Sequence, residues 1–203
     1  MSYIPLMIDL SGRKVVIVGG GRVAERRVDA LKGSEAILHV ISPEISEKLI
    51  SLWRQGEFIW DKRSFEGEEV LDATLVIAAT NDSKVNQAVM QHTDEASLLN
   101  MTGAADQGTV IFPGTYRQGR LILSVSTEGA SPMLVSRILS DFKSQYDARY
   151  EQYVDFLYVC RKHLKKTSFS KEEKNKWLSH LLSDKYLETA YQAEILEWLK
   201  TLQ

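Results

Sequence analysis

The sequence predicts an α/β fold, and three observations carry that reading. Short β-branched runs alternate with helical stripes through the first hundred residues, and a glycine triplet, Gly19-Gly20-Gly21, closes the first run. After Thr102 the pattern changes to two consecutive β runs and then to helix alone. Strands alternating with helices at this spacing form parallel βαβ units with right-handed crossovers.

Element by element, Lys14–Gly20 (KVVIVGG) reads as a strand and Arg22–Lys32 as a helix with a partial stripe of Val23, Val28 and Leu31. Ala36–Ile41 reads as a second strand, Ser46–Gln55 as a helix, and Phe58–Trp60 as a short third strand. Thr74–Ala79 (TLVIAA) is a buried strand, Ser83–Glu95 a helix, and Ser97–Met101 a further strand. Thr109–Phe112 and Leu121–Ser126 then read as an antiparallel pair, joined through Pro113-Gly114 and Gln118-Gly119 with no room for a crossover helix. Ser131-Pro132 opens a helix, serine as N-cap and proline in the first turn, with Leu134, Ile138 and Phe142 as its apolar stripe. Helix continues to the end, with breaks near Thr167–Ser170 and Ser183-Asp184. The expected division is a nucleotide-binding domain over 1–113, a small α+β connector over 114–147, and a helical domain over 148–203.

The bulk composition excludes several function classes. In 203 residues, 44% hydrophobic and 26% charged, the chain can bury a core for one or two domains. A net charge of -2, with no block of like charge, gives no bias toward nucleic acid. Cys160 is the only cysteine, so an intrachain disulfide and a cysteine-rich metal site are excluded; it reads as a buried filler or a reactive thiol. No stretch reaches the ~18 apolar residues of a membrane span, and the start lacks a signal-peptide pattern, so a cytoplasmic protein is expected.

The glycine turn carries the first chemistry. Gly19-Gly20-Gly21-Arg22-Val23-Ala24 is G-x-G-x-x-A between a predicted strand and a predicted helix. Gly19 makes the tight turn, Gly21 lets backbone approach a pyrophosphate, and Ala24 lets helix and strand pack closely. The helix N-terminus, with Arg22 and Val23, points free N–H groups at that phosphate. The second strand ends in Ser42-Pro43-Glu44, about the ~20 residues downstream where a ribose contact is expected. Glu44 there would accept from the ribose hydroxyls and repel a 2′-phosphate, favouring NAD over NADP; it reads also as a surface acid at the next helix start. Ala79-Thr80-Asn81 closes the fourth strand at the carboxyl edge, where small residues admit the nicotinamide half; Asp82 reads as a helix cap. Together these features describe a Rossmann domain.

The chain also resembles a specific family, the precorrin-2 dehydrogenases, including the amino-terminal half of sirohaem synthases. The residues that carry the resemblance are Ile4-Pro5-Leu6 with Leu10, VVIVGGGRVAERR (15–27), VIAATND with Val85-Asn86 (76–86), Asn100, IFPG (111–114) and SVSTEGASPML (124–134). The resemblance spans about residues 4–142; the last 60 residues match only in being helical. It implies NAD-dependent oxidation of precorrin-2 to sirohydrochlorin in sirohaem, and by extension cobalamin, synthesis. It also implies a homodimer built on a dimerisation domain at 114–147, with no nucleic-acid or membrane partner.

The resemblance further implies site residues. The loop Ser124–Pro132 would lie over the macrocycle, with Ser124, Ser126 and Thr127 as hydroxyl donors, Ser124 also a catalytic candidate, and Gly129 allowing close approach; the same residues are also ordinary turn and cap chemistry. The substrate's carboxylates call for arginines, and Arg117, Arg120 and Arg137 stand in the connector, though each reads equally as a solvated charge. Relatives that also chelate metal carry an aspartate in a segment like N-V-V-D; here the stretch is Asn100-Met101-Thr102-Gly103, and glycine takes the acid's place. Asp106 is a candidate substitute base and also reads as a loop acid. His92, near the expected cleft, is the histidine to test, against a structural role. No HxxxH spacing suggests a metal site. The expectation is dehydrogenation with little chelatase activity; the alternatives are a bifunctional dehydrogenase and ferrochelatase, or a non-catalytic NAD sensor.

Overall fold

The computed structural model describes residues 3–202, in two compact units divided between Phe112 and Pro113. The connector and the helical tail, expected as separate domains, cluster together in the second unit.

The first unit is a parallel five-stranded sheet of order β3-β2-β1-β4-β5, formed by β1 (Lys14–Val18), β2 (Ile37–Ile41), β3 (Ile59–Asp61), β4 (Leu75–Ala78) and β5 (Leu98–Met101). Its helices are α1 (Arg22–Leu31), α2 (Glu47–Arg54) and α3 (Ser83–His92). Strand residues alternate between two covered faces. Val15 and Ile17 meet Ala24, Val28, Leu49 and Leu52 of α1 and α2; Val16 and Val18 meet Val70 and Val89 on the α3 side. The four apolar residues of β1 are essentially inaccessible, which is why the strand reads as a continuous apolar run. Between β3 and β4 the crossover contains only a 3-10 turn, Glu68–Val70.

The reading of Thr109–Phe112 as a strand is corrected. This segment folds back over the end of β5: the N–H groups of Thr109 and Val110 both donate to the Leu99 carbonyl, at 2.8 and 3.1 Å. Leu99 N–H donates to Thr109 Oγ1 at 2.9 Å, and Asn100 Nδ2 donates to the Val110 carbonyl at 2.9 Å. Two donors converging on one carbonyl cannot propagate a ladder, and Pro113 has no N–H to extend one. The antiparallel pair starts later, as β6 (Gly114–Gln118) and β7 (Leu121–Val125), turned at Gly119 with φ +56°.

The second unit continues with α4 (Pro132–Gln145), α5 (Arg149–Lys166), α6 (Lys171–His180) and α7 (Thr189–Lys200). Ser131 caps α4 as expected, accepting from Leu134 N–H at 3.2 Å. The expected stripe is only partly right, because Leu134 is 46% exposed while Val135 and Leu139 pack on the hairpin against Gly114. A second core gathers Tyr153, Phe156, Cys160, Leu164, Leu181, Tyr186 and Leu199 from α5 to α7. Cys160 is fully buried there, and burial pushes its thiol up to about 12. Of its two readings, filler is the one the geometry supports.

Candidate functional site

A cleft of about 850 Å³ opens at the carboxyl ends of β1, β2 and β4, where the strand order reverses between β1 and β4. Open α/β sheets bind ligands at this switch point. Two depressions beside α6, lined by residues such as Lys176 and His180, are smaller.

The floor of the cleft is the glycine turn. Gly19 takes φ +123°, donates its N–H to the Ile41 carbonyl at 2.9 Å, and lies so close to β4 that a Cβ would stand 2.4 Å from the Ala79 oxygen. Gly20, the variable position of the motif, is equally confined: a Cβ would be 2.1 Å from the Glu44 carbonyl oxygen, and its own carbonyl accepts from Ser46 N–H at 2.9 Å. Sequence reasoning missed Gly20, because the motif leaves that residue unspecified. Around Gly21 there is open space, so the backbone is accessible from the cleft. α1 starts on Gly21 with no capping side chain, and its first helical bond is Glu25 N–H to the Gly21 carbonyl. The N–H groups of the first turn therefore remain available to an anionic ligand. Ala24 is fully buried against the sheet.

On the β2 side, Ser42 is buried and its hydroxyl donates to the Glu44 carbonyl at 2.6 Å, which folds Ser42-Pro43-Glu44 into a turn. Ser42 thus shapes the cleft through its backbone. The Glu44 side chain is exposed at the cleft and has no hydrogen-bond partner among the described residues. Ser46 caps α2 and its hydroxyl also donates to the Glu25 carboxylate, tying α2 to the helix that follows the glycine turn.

On the β4 side, Ala79 lies under the cleft and Thr80-Asn81-Asp82 forms its lip. Asn86, in the first turn and a half of α3, holds that lip from within. Its Oδ1 accepts from Thr80 N–H at 3.3 Å and lies 2.9 Å from Thr80 Oγ1, while its Nδ2 donates to the Thr80 carbonyl at 3.0 Å. Asp82 caps α3, accepting from Lys84 and Val85 N–H at 2.8 and 3.4 Å, in accord with its reading as a cap. Asn86 was visible in the sequence only as a motif residue without a role; a polar side chain at the fourth position of a helix facing a strand end is the signal.

All ten cofactor candidates line this one cleft: Gly19, Gly21, Arg22, Val23, Ser42, Pro43, Glu44, Ala79, Thr80 and Asn81. The proposed catalytic residues do not join them there. His92 occupies the far end of α3, about 15 Å along the helix from Asp82 at ~1.5 Å per residue. Its Nδ1 donates to the Ala88 carbonyl at 2.8 Å and its ring meets the edge of Phe65. This is a structural arrangement, produced because the helix axis carries residue 92 away from the strand ends. Asp106 is exposed on a 3-10 turn, Ala105–Gln107, and does not line the cleft. Gly103 faces open space.

The catalytic candidate Ser124 and the substrate candidates belong to the second unit. Thr115, Arg117 and Ser124 share the exposed face of the hairpin, with Ser124 Oγ 3.3 Å from Thr115 Oγ1. Thr127 Oγ1 accepts from Ser131 N–H at 3.0 Å and Ser126 Oγ from Glu128 N–H at 3.1 Å, so both hydroxyls shape the turn while keeping their own protons free to donate. Gly129 takes φ +87° beside open space. Arg137 is exposed on α4. Arg120 is engaged within its own unit, pairing with Asp155 at 2.7 Å and stacking 4.2 Å over Tyr158. No group of three or more His, Cys, Asp or Glu side chains suited to a metal ion occurs among the described residues.

Comparison with known proteins places these features in context. An NAD(P)-binding family model matches residues 6–114, and a SirC C-terminal domain model matches 150–195. The precorrin-2 dehydrogenase of Priestia megaterium is 35% identical over 96% of this chain and 97% of its own length. That of Bacillus subtilis (strain 168) is 32% identical over 78% of this chain and 98% of its own. The solved structure described as SirC, precorrin-2 dehydrogenase superposes with a TM-score of 0.83 at 33% identity, covering 98% of this chain and 100% of that one.

Proposed function

We propose, since this chain belongs to the precorrin-2 dehydrogenase family, that it oxidises precorrin-2 to sirohydrochlorin in sirohaem synthesis with NAD as hydride acceptor. The observation that carries the cofactor half is the cleft floor: glycines where a Cβ would strike backbone, beneath an uncapped helix N-terminus. The nicotinamide ring of bound NAD supplies the two-electron acceptor. The protein's part is to bind and orient. The first-turn N–H groups of α1 and the open backbone at Gly21 would hold the diphosphate, Glu44 the adenine ribose, and Ala79-Thr80-Asn81 the nicotinamide half. Arg117 and Arg137 with Ser124, Thr127 and Gly129 are our candidates for the acidic macrocycle. Asp106 stays a candidate proton acceptor, while His92 acts structurally.

Purified protein mixed with precorrin-2 and NAD is expected to form NADH in step with the visible absorbance of sirohydrochlorin. Tight NAD binding without NADH would favour the non-catalytic sensor instead. If Asp106 is the required base, Asp106→Asn should cost the ~10²–10⁴ of general-base catalysis. A loss under about tenfold would assign the proton to the macrocycle's own nitrogens or to water. With glycine at 103, protein added to sirohydrochlorin and cobalt or iron is expected not to accelerate insertion. Acceleration abolished by Asp106→Ala would establish the bifunctional reading.

We further infer a homodimer through the connector. Met133 is 84% exposed and Leu134 46%, and β6–β7, backed by α4, is a two-stranded ribbon with free edges. A free edge of this kind is satisfied by pairing with the same edge of a second copy. Sedimentation showing a monomer would overturn this. Among the described residues no helix is long and apolar enough to cross a membrane, and a lone buried cysteine suits a cytoplasmic setting.

A further inference from the structure

One wall of the nucleotide cleft comes from a segment that no motif marks. Ser64 and Phe65, in the loop between β3 and the Glu68–Val70 turn, line the cleft, and Phe65 is the only aromatic residue among its described lining residues. One side of Phe65 packs on the core around Val89 and its edge meets His92 at 6.0 Å between centroids. Phe65 also lines the cleft, which it shares with the Ser42–Glu44 turn and Val85.

The loop is held by a buried charge. The Glu69 side chain is only 3% exposed, yet its carboxylate is fully engaged with the loop it closes. Its oxygens accept from Glu66 N–H at 3.1 and 3.2 Å and from Gly67 N–H at 2.8 Å, and Arg63 Nη1 pairs with it at 2.8 Å. Gly67 takes φ +108°, and a Cβ there would stand 2.5 Å from the His92 ring. A buried carboxylate is costly unless every lone pair is met, and a plain surface connection between two strands needs none. The bonded Glu66 N–H belongs to the peptide group that follows Phe65, so the arrangement holds the backbone that carries the ring.

In a sheet of this order the acid after β2 marks the adenosine half of the cleft, and the loop that carries Phe65 follows β3, the neighbour of β2 on that side of the switch point. We propose that Glu69 is a positioning residue: it pins the 64–67 loop so that Phe65 offers a stacking face to the adenine ring of the dinucleotide. His92 serves the same end, bracing Phe65 and Gly67 from behind. The proposal rests on the nucleotide reading given above and assigns the affinity for the adenine half to this loop.

The test compares ligands that carry one half of the cofactor each. Glu69→Gln puts an amide NH₂ where an oxygen now accepts, and titration of that variant by calorimetry with NAD, AMP and nicotinamide mononucleotide separates the halves. NAD and AMP are expected to bind about tenfold more weakly, the scale of one lost base–ring stack, with nicotinamide mononucleotide unaffected. In turnover, KM for NAD should rise by the same factor while kcat at saturating NAD stays within about twofold. Phe65→Ala should reproduce these shifts and Phe65→Tyr should restore parental binding. If Glu69→Gln does not fold, the Phe65 pair decides alone. AMP binding unchanged in Phe65→Ala, or an equal loss for nicotinamide mononucleotide, would overturn the proposal. Phe65-dependent AMP binding in a protein that never reduces NAD would sink the dehydrogenase reading and leave this one standing.

Discussion

A methyl group on Gly20 would have to displace the backbone of another loop, since the Glu44 carbonyl lies 2.1 Å from the ideal Cβ position. No rotamer relieves such a contact. Gly20→Ala is expected to lower stability by about 1–3 kcal/mol and to weaken NAD binding together with it, read by thermal unfolding and NAD titration. Glu44 differs, because its side chain holds nothing in the fold. Glu44→Ala should leave the unfolding temperature unchanged and narrow the preference for NAD over NADP about tenfold or more, measured as the ratio of kcat/KM values. An unchanged ratio would place the discrimination elsewhere. Asn86 was quoted in the sequence without a role, since three hydrogen bonds to Thr80 depend on a strand end and a helix face coming together.

Helix starts in this chain were readable because capping is local. Ser46, Asp82 and Ser131 each accept from N–H groups two or three residues ahead, and the identity of a cap needs no tertiary partner. Strand limits were harder where the decision was not local. Thr109–Phe112 is β-branched and apolar enough for a strand, yet its N–H groups turn to Leu99, and only the position of β5 determines that. Gly114 looked like turn chemistry and is instead the first residue of β6, small because Val135 and Leu139 of α4 occupy the space a Cβ would need. Gly114→Ala would stand 2.5 Å from Val135 and should cost about 1–3 kcal/mol of the second unit's stability. NAD affinity of the first unit should survive, which calorimetry on the intact chain can show.

For the whole molecule, the core of the second unit carries a pH signature. Burial raises the Cys160 thiol from an ordinary 9.0 to about 12, while the unfolded chain keeps the ordinary value. Because the folded value is the higher one, the stabilisation is complete below about 9 and is lost as pH climbs toward about 12. The unfolding temperature should therefore fall with alkaline pH more steeply in the parent than in Cys160→Ala, and thiol labelling should await unfolding. Equal slopes would mean the thiol is open to solvent.

By itself the sequence determined the parallel α/β class, the glycine turn and its dinucleotide, and the family, because these rest on periodicity, backbone freedom and motifs spaced along one chain. Tertiary structure decided what depends on approach between distant segments. It made Gly20 as confined as Gly19, gave Asn86 its lip, moved His92 from the chemistry to the support of Phe65, and put the buried Glu69 under the cleft wall. A carboxylate in a run as polar as Ser64–Glu69 looks solvated in one dimension. Only the fold, by closing the loop over it and aiming three backbone and side-chain donor groups inward, shows why it is buried.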